Sequence, residues 1–410
     1  ADAQGKWALQ IETPQAGGPY EISLSDGKEL KLRDVLIGEV WICAGQSNME
    51  MPMKGFKAQP VEGAPEELMQ CHDRQLRLFT IKRNARLQPV DSVSGSWQEA
   101  NSASVREFSA TAYYYGKMLR KALEVPVGLV VTSWGGSACE AWMNKEWVKS
   151  DWLKAFPKLH TPWNEADVKK YQQRCPSALY NGMLHPLIGY TMKGVIWYQG
   201  EDNCNRYATY ADQMQTLVNS WRKEWKQGIF PFYYCQIAPY DYSLIKWKNN
   251  SALLREKQME AEKRISNCRM AVLLDAGLEY GIHPRKKKEV GERLALLSLA
   301  NTYGQKGLPD FAVYKSVEFK GDTAVVSFDR SKEWVYFNNG PKSDNFEIAG
   351  EDQVFHKAQA WISRNKVYVK SEEVKKPVAV RYAFKNWVVG DLFHDGLPVS
   401  SFRTDDWEVK

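Results

Sequence analysis

The chain has 410 residues, 44% of them hydrophobic and 25% charged, so it is long enough for two domains and can bury a large core. Its net charge of +6 is modest, and the basic residues are scattered rather than gathered into a face with stacking aromatic side chains, which argues against nucleic acid as a partner. No apolar run approaches the length of a membrane-spanning helix, and the first residues hold no apolar signal region. We therefore expect a soluble chain without membrane insertion, from which any export signal has been removed. The seven cysteines are an odd number without a Cys-x-x-Cys pair, which indicates neither a disulfide framework nor a zinc site.

Short strands are predicted at the amino end of the chain, over residues 6–12, 20–24 and 29–32. The last two are joined by Ser25, Asp26 and Gly27, residue types that favour the tight turn of an antiparallel hairpin. We assign residues 1–34 to an N-terminal β-hairpin region. Because this region cannot close a β-sandwich alone, we expect it to form part of an accessory β-module.

The next segment, residues 35–44, is almost wholly apolar and rich in β-favouring residues, as in a strand buried on both faces within a parallel sheet. Gly45 allows a sharp turn after it, and the polar residues Gln46, Ser47 and Asn48 follow just beyond the strand's carboxyl end. In open α/β sheets this edge binds ligands. Ser47 is therefore a candidate nucleophile, provided that the rest of the chain supplies a base and donors for an oxyanion.

Strands and helices alternate from here to about residue 308. Apolar strands are predicted over residues 127–133, 194–198, 231–237 and 270–274, with amphipathic helices between them. Parallel strands need such crossovers, so residues 35–308 are predicted to form an α/β domain, a doubly wound parallel sheet of about five strands with helices on both faces. Residues 309–410 return to short alternating strands separated by turns, which is typical of an all-β, sandwich-like module.

Polar and glycine residues follow several of the predicted strands, and the carboxyl ends of parallel strands share one edge of a sheet. Ser47 follows the first strand, Gly135 and Gly136 the second, Asn203 the third and His283 the fifth. These residue types suit acyl transfer: a serine nucleophile, a histidine that takes its proton, and an oxyanion hole formed by the Ser47 N–H, a glycine N–H and the Asn203 side-chain amide. Of the six histidines, His283 is the one predicted at this edge.

The order of these residues resembles that of the SGNH hydrolases, and the local motifs are similar to those of sialate O-acetylesterases. The matching stretches are Gly-Glu-Val-Trp-Ile-Cys-Ala-Gly-Gln-Ser-Asn-Met-Glu-Met from Gly38, Trp-Gly-Gly-Ser from Trp134, Trp-Tyr-Gln-Gly-Glu-Asp-Asn from Trp197 and Ile-His-Pro-Arg from Ile282. The resemblance implies a secreted or periplasmic enzyme that removes O-acetyl groups from sialic acid or a related sugar through a Ser–His mechanism, without metal or cofactor. Relatives that act on acetylated plant polysaccharides share the same core. An acetylxylan or other polysaccharide esterase is therefore the alternative among enzymes, and a carbohydrate-binding protein with a degenerate site is the alternative outside them.

Four further residues are candidates for binding the substrate: Gln46, Trp134, Glu201 and Arg285. Trp134 flanks the glycine pair and can stack a sugar ring, although core packing explains it nearly as well. Arg285 begins a run of four basic residues, which is either a solvated helix start or an attraction for an anionic sugar carboxylate. Glu201 is a loop charge close to the predicted edge.

One position departs from the SGNH pattern. Many members carry an aspartate three residues before the histidine, where this chain has Tyr280, and a neutral phenol is a poor substitute for a carboxylate that holds the second ring nitrogen. The sequence leaves three options: Glu279 or Asp275 from the same loop, a distant carboxylate such as Glu201 or Glu140, or a backbone carbonyl. We favour a Ser–His dyad whose histidine is oriented by a backbone carbonyl or by a non-local acceptor.

Overall fold

The computed structural model describes residues 11–242, 250–332 and 334–409, together with positions 3, 5 and 9. The strands β1 (Gly17–Ser25) and β2 (Glu29–Ile37) form an antiparallel hairpin, as predicted for residues 20–24 and 29–32. The predicted strand over residues 6–12 lies mainly outside the described residues. The hairpin is a two-stranded sheet by itself, and no described strand of the carboxyl-terminal region pairs with it. Its membership of an accessory module therefore stays a prediction.

The candidate site lies on a mixed α/β domain with a seven-stranded sheet. Its strands in chain order are β3 (Glu39–Gly45), β4 (Asp73–Thr80), β5 (Trp97–Ala100), β6 (Val127–Ser133), β7 (Gly194–Tyr198), β8 (Phe232–Cys235) and β9 (Cys268–Ala271). Their spatial order is β5-β4-β6-β3-β7-β8-β9, and all run parallel except the edge strand β5, which is antiparallel to β4. Gly45 pairs with Ser133 of β6 and with Tyr198 of β7, so the carboxyl ends of these three strands are level.

The sheet contains two strands, β4 and β5, beyond the five that were predicted. In β4 the buried residues Leu76 and Leu78 alternate with the more accessible Arg77 and Phe79, so the strand lacks the continuous apolar run of a central parallel strand. Strand β5 has four residues, and two of them are exposed. Both strands lie at one side of the sheet, where burial is incomplete and the apolar pattern is weak.

Helices cover both faces of this sheet. They are α1 (Ser47–Glu50), α2 (Ala64–Gln70), α3 (Ser102–Glu107), α4 (Ala110–Leu123), α5 (Glu165–Tyr171), α6 (Tyr210–Trp225), α7 (Asn250–Arg264) and α8 (Lys287–Asn301). Trp41 and Ala44 are three positions apart on β3 and so point to opposite faces. The ring of Trp41 lies 5.4 Å from that of Tyr115 on α4. Trp197, which pairs with Ala44, lies 5.9 Å from Trp221 on α6.

The carboxyl-terminal region is a separate antiparallel β-module. One sheet contains β10 (Val313–Lys320), β11 (Thr323–Asp329), β13 (Lys342–Ala349), β14 (Phe355–Ser363), β15 (Lys366–Lys370), β16 (Ala379–Tyr382) and β19 (Phe402–Arg403), and a smaller one contains β12 (Val335–Phe337), β17 (Leu392–His394) and β18 (Leu397–Pro398). The module contacts the α/β domain through buried hydrogen bonds: Gln236 Nε2 donates to Ser400 Oγ over 2.8 Å, and Arg255 Nε donates to Ser401 Oγ over 3.1 Å. A sandwich arrangement of the two sheets stays a prediction.

The seven cysteines all lie in described segments, are buried and form no disulfide. Burial raises the pKa of the Cys43 and Cys139 thiols, so neither is a thiolate nucleophile at neutral pH. Within the described part of the chain, no helix has the length and apolar character needed to cross a membrane.

Candidate active site

The candidate nucleophile Ser47 lies directly beyond the carboxyl end of β3. Gly45 has a φ of +142°, and a Cβ atom there would lie 2.2 Å from the carbonyl oxygen of Tyr198, so only glycine fits. Gln46 N–H donates to the same carbonyl over 2.9 Å, which ties the turn to β7. Ser47 then begins the short helix α1 and is half-buried. Its Oγ has no hydrogen-bond partner among the described residues, so the hydroxyl is available to a ligand.

Two backbone N–H groups in the segments that carry Ser47 and the glycine pair are also free. Those of Ser47 and Gly136 have no partner in the described segments. The N–H of Gly135 donates to Glu50 Oε2 over 2.8 Å, so this N–H is occupied in this structure and its place in an oxyanion hole stays a prediction. Gly135 has another role, because a Cβ atom there would lie 3.3 Å from Ser47 Cβ and 3.0 Å from Glu50 Oε2. Its lack of a side chain lets the loop after β6 lie against the nucleophile, while Gly136, with a φ of +70°, is the glycine whose N–H can serve as a donor.

Asn203 does not supply an oxyanion donor in this structure. Its side chain is fully buried, and its amide nitrogen donates to Glu140 Oε2 over 3.1 Å and to Gln213 Oε1 over 2.9 Å. Its Oδ1 atom accepts from the Cys139 N–H over 3.1 Å and from Gln199 Nε2 over 2.8 Å. These four bonds use the full capacity of the amide. In this structure Asn203 anchors the loop after β7 to its neighbours, and its oxyanion role stays a prediction.

The candidate base His283 is oriented by a glutamine. Its Nδ1–H group donates to Gln59 Oε1 over 2.6 Å, and its ring lies 5.0 Å from that of Phe56 in an edge-on arrangement. An amide oxygen only accepts hydrogen bonds, so the proton is on Nδ1 and the lone pair is on Nε2. Nε2 is the atom that a general base needs. The histidine is thus held in the productive tautomer by a neutral acceptor.

The backbone around Gln59 fixes the direction of this acceptor. The N–H and carbonyl groups of Phe56 and Gln59 bond reciprocally, at 3.1 and 3.0 Å, and close a tight turn. Gly55 has a φ of +78°, and a Cβ atom there would lie 2.2 Å from the carbonyl oxygen of Gln59. Gln59 and His283 are 224 positions apart. Sequence reasoning missed Gln59 because no local pattern marks it, although Gly55 signals a constrained turn close behind the nucleophile.

Two of the carboxylates considered from the sequence are paired with arginine instead of His283. Asp275 accepts two hydrogen bonds from Arg293, over 2.7 and 2.6 Å. Glu140 is fully buried and accepts two from Arg206, over 3.1 and 3.2 Å. Neither carboxylate binds the histidine.

The other two carboxylates also have different neighbours. Glu201 is buried and accepts from Asn48 Nδ2 over 2.6 Å. Glu279 hydrogen-bonds to Tyr280, whose side chain is 73% exposed. Of the options that the sequence left open, the structure shows a non-local acceptor, and that acceptor is an amide.

Ser47 and His283 are brought to the same edge without a direct hydrogen bond between them in the described chain. Asn48, the residue after Ser47, donates through Nδ2 to the carbonyl oxygen of Ile282, the residue before His283, over 3.1 Å. This bond ties the nucleophile helix to the histidine loop. Catalytic hydrogen bonds are often long without substrate, so the missing bond does not by itself exclude the pair.

The electrostatic surroundings keep His283 neutral. Burial and the nearby ammonium of Lys287 lower the pKa of His283 from 6.5 to about 4. Desolvation disfavours the charged imidazolium, and a second positive charge disfavours it further. At neutral pH the ring is therefore unprotonated and can accept a proton.

The four candidate substrate-binding residues lie in different environments. Gln46 is buried and its Oε1 accepts from the Gly200 N–H over 3.2 Å, while its Nε2 has no partner among the described residues. Arg285 is exposed on the surface two residues after His283. Glu201 is 4% exposed and hydrogen-bonds to Asn48, and its contact with substrate stays a prediction.

Trp134 is half-buried next to the glycine pair. The guanidinium of Arg83 lies over its ring, 5.5 Å from the centroid, and Arg83 is also 2.6 Å from Glu50 Oε1. The same glutamate holds the Gly135 N–H through its other oxygen. Trp134, Arg83 and Glu50 therefore form a wall beside Ser47, and the sequence indicated only the tryptophan.

A serine, a neutral histidine with a fixed tautomer and free backbone donors at one sheet edge are the parts that serine hydrolases use for acyl transfer. Comparisons with known proteins show the family to which the chain belongs. Residues 37–297 match the carbohydrate esterase family described as sialic acid-specific acetylesterases, and the chain belongs to this family of carboxylic ester hydrolases.

Individual relatives support the same membership. The chain is 30% identical over 359 residues to the sialate O-acetylesterase of Rattus norvegicus and 31% identical over 335 residues to that of Homo sapiens; each alignment covers 74% of this chain. The chain spans 64% of the length of the rat protein and 61% of the human one. Among solved structures, a carbohydrate acetylesterase from Xanthomonas citri is 36% identical, with a TM-score of 0.89 over 99% of this chain and 90% of that one.

Proposed function

We propose that this chain is a serine esterase that removes O-acetyl groups from sugars, with O-acetylated sialic acid as the first candidate substrate. The observation that carries the proposal is the hydrogen bond from His283 Nδ1–H to Gln59, which leaves Nε2 as a base at the edge where the Ser47 hydroxyl is free. We also propose that residues 35–308 form an SGNH-type catalytic domain, with residues 1–34 and 309–410 as accessory β-structure, and that the protein is secreted or periplasmic.

The reaction would run in two halves on Ser47. In the first, Oγ attacks the acetyl carbonyl carbon while His283 Nε2 takes its proton, and the tetrahedral intermediate collapses when the same nitrogen returns that proton to the sugar oxygen. In the second, water attacks the carbonyl carbon of the acetyl-serine and loses its proton to Nε2, and the bond between Ser47 Oγ and the acetyl group breaks as Nε2 returns that proton to Oγ, which releases acetic acid and restores the free serine. The N–H groups of Ser47 and Gly136 are the free donors for the oxyanion in both halves.

The wall beside Ser47 is where the sugar would bind. Trp134 offers an aromatic face, and the free Nε2 of Gln46 offers a donor at the edge. A half-buried aromatic ring with a few polar groups is the usual composition of a small-molecule site. These groups support the proposal that a sugar ring binds next to the nucleophile.

A neutral polysaccharide is the second candidate substrate, and the charge distribution favours it. Arg83, whose guanidinium lies over Trp134, is paired with Glu50. Arg174 is paired with Asp202 at 2.6 Å. The residue before Arg174, Gln173, is the one whose side chain lies near Gly136. The exposed Arg285 remains as a partner for the carboxylate of sialic acid. An acetylated xylan has no carboxylate to satisfy at its acetylated ring.

Two assays test these proposals. The purified chain should hydrolyse p-nitrophenyl acetate, and Ser47→Ala and His283→Ala should abolish turnover while both variants keep the wild-type unfolding curve. A wild-type chain that binds sugar without turnover would show a degenerate binding protein instead. Acetate release from O-acetylated sialic acid and from acetylated xylan, compared as kcat/KM, then decides between the two substrates.

A further inference from the structure

Three polar side chains form a buried cluster beneath the nucleophile: Asn48, Glu201 and Lys287, which we call the Lys287 cluster. They are 1%, 4% and 0% exposed. Lys287 Nζ donates to Asn48 Oδ1 over 2.6 Å, and Asn48 Nδ2 donates to Glu201 Oε1 over 2.6 Å. The amide of Asn48 therefore lies between an ammonium and a carboxylate.

The cluster joins the segments that carry the candidate catalytic residues. Asn48 follows Ser47 on α1, Glu201 lies on the loop after β7, and Lys287 begins α8. The same Asn48 Nδ2 atom also donates to the carbonyl oxygen of Ile282 over 3.1 Å, which reaches the histidine loop. Displacement of any one member would shift the backbone next to Ser47 or His283.

Packing alone does not account for this cluster. Burying two charges is costly, and a buried ion pair is often replaced by apolar residues of the same shape without loss of stability. Glu201 Oε2 is buried and has no hydrogen-bond partner in the described part of the chain, so one polar atom of the cluster lacks a hydrogen bond. Lys287 also begins a helix, where a cation is unfavourable.

We propose that the Lys287 cluster is a positioning device of the proposed esterase, in which the buried ammonium of Lys287 holds the Ser47 helix and the His283 loop in register. This inference rests on the proposed function for its kinetic readout only. Lys287 is a positioning residue, because the contacts of its ammonium are with Asn48 and the buried groups around it.

The cluster also has an electrostatic effect on His283. Among the described residues, the titratable groups that face Lys287 are Glu201, Cys235 and His283, and the ring of Tyr198 lies 5.5 Å away. Burial lowers the pKa of Lys287 to about 7 despite Glu201. The ammonium is therefore charged in the acid range, where its repulsion disfavours protonation of His283.

Replacing Lys287 by methionine tests the proposal, because methionine keeps the length of the side chain and removes its charge. We expect Lys287→Met to lower kcat by roughly tenfold to a hundredfold with KM little changed, since misplaced catalytic groups slow the chemical step. The acid limb of the kcat/KM profile should move up by roughly one pH unit, since a like charge has been removed from the histidine. The matched control is Lys288→Met, an exposed neighbour on the same helix, which should leave both quantities unchanged.

A second variant guards against misfolding. Lys287→Met leaves a buried carboxylate without its ammonium, so the double variant Lys287→Met/Glu201→Gln, which removes both charges, should be the more stable of the two by urea denaturation. It should show the same upward shift of the acid limb. A folded double variant with wild-type kcat and an unshifted acid limb would overturn the proposal. Failure of both variants to fold would also overturn it, since the cluster would then be a requirement of folding.

The titration of His283 gives a readout that does not depend on activity. NMR of the histidine ring protons, with the His283 signal assigned by its loss in His283→Gln, should show the pKa of His283 rising in Lys287→Met and remaining unchanged in Lys288→Met. If the wild type has no esterase activity but this shift occurs, the proposed function fails and the electrostatic part of the cluster stands. If the wild type is active and Lys287→Met changes neither this pKa nor kcat, the inference fails and the function stands.

Discussion

His283 Nδ1–H donates to Gln59 Oε1 across 2.6 Å, between residues 224 positions apart in the chain. Serine hydrolases of the triad type place a carboxylate at this nitrogen, where it both fixes the tautomer and stabilises the imidazolium that forms. An amide oxygen does the first without supplying a negative charge. In this site Gln59 can fix the tautomer of His283, but it cannot stabilise the imidazolium with a negative charge. Substitution of Gln59 can test the two effects separately.

Gln59→Met should remove the acceptor while keeping the shape of the side chain. We expect kcat to fall by roughly tenfold to a hundredfold with KM little changed, because the histidine would spend part of its time in the wrong tautomer or rotamer. Lys57→Ala, an exposed change on the same turn, is the control. Wild-type kcat in folded Gln59→Met would show that the hydrogen bond has no part in the reaction.

Gln59→Glu should have a different effect, because it places a carboxylate where the amide stands. An opposite charge at hydrogen-bond distance raises a histidine pKa by roughly one to three pH units. The acid limb of the kcat/KM profile should move to higher pH by that amount, while activity above pH 8 is kept. An acid limb that stays in place would mean that residue 59 does not contact the histidine in solution.

The pH dependence of the wild type follows from the lowered pKa of His283, about 4. An ordinary histidine near 6.5 would lose activity below about pH 6, whereas here roughly nine-tenths of the molecules hold a neutral His283 at pH 5. We expect kcat/KM on p-nitrophenyl acetate to stay nearly level down to pH 5 and to reach half its value near pH 4. A midpoint between pH 6 and 7 would contradict the observed environment of the ring.

The same group makes stability depend on pH. In the unfolded chain His283 takes up a proton below about pH 6.5, and the folded chain does so only near pH 4. Between these values the unfolded state binds more protons, so this contribution to the free energy of unfolding is present above pH 6.5 and is lost as the pH falls toward 4. Urea denaturation of the wild type and of His283→Gln at several pH values should show a smaller decrease for the variant.

Asn203→Ala should act on stability first. The change removes four buried hydrogen bonds and leaves Gln213 Oε1 and the Cys139 N–H without a partner among the described residues. Each unsatisfied buried group costs about 1 to 3 kcal/mol. We expect a lower urea midpoint than for the exposed control Asn205→Ala. A kcat that falls a hundredfold while the unfolding curve is unchanged would instead support the predicted oxyanion role.

Asp275→Asn and Glu279→Gln should each lower kcat by far less than the roughly ten-thousandfold loss known for removal of a triad aspartate. Asp275 holds Arg293 through two bonds, so its variant should unfold at lower urea concentration with near wild-type kcat. Glu279 contacts the exposed Tyr280, so its variant should change neither quantity. A ten-thousandfold loss in either folded variant would identify a triad member and exclude Gln59 from that role.

The main features of the α/β domain could be predicted from local patterns. The apolar run over residues 35–44 predicted one buried strand; its later part lies in β3 (Glu39–Gly45), whereas residues 35–37 end β2. The turn at Gly45 predicted where the polar residues begin, because only a glycine tolerates that backbone next to β7. Strands β4 and β5 escaped prediction because a strand at the side of a sheet is only partly buried, and its apolar residues alternate with charged ones.

The sequence alone determined the chemistry available at the edge: the serine, the glycine pair and the histidine, in an order that follows from the parallel strands. Only the tertiary structure decided which polar atoms at this edge remain without a hydrogen-bond partner. It pairs the Gly135 N–H with Glu50, saturates Asn203, and turns Lys287 inward while Lys288 stays in solvent. It also brings Gln59 to His283. The physical reason is that periodicity along a chain reports which side of an element meets solvent, whereas the hydrogen bonds of a polar side chain depend on groups that distant segments bring within 3 Å of it.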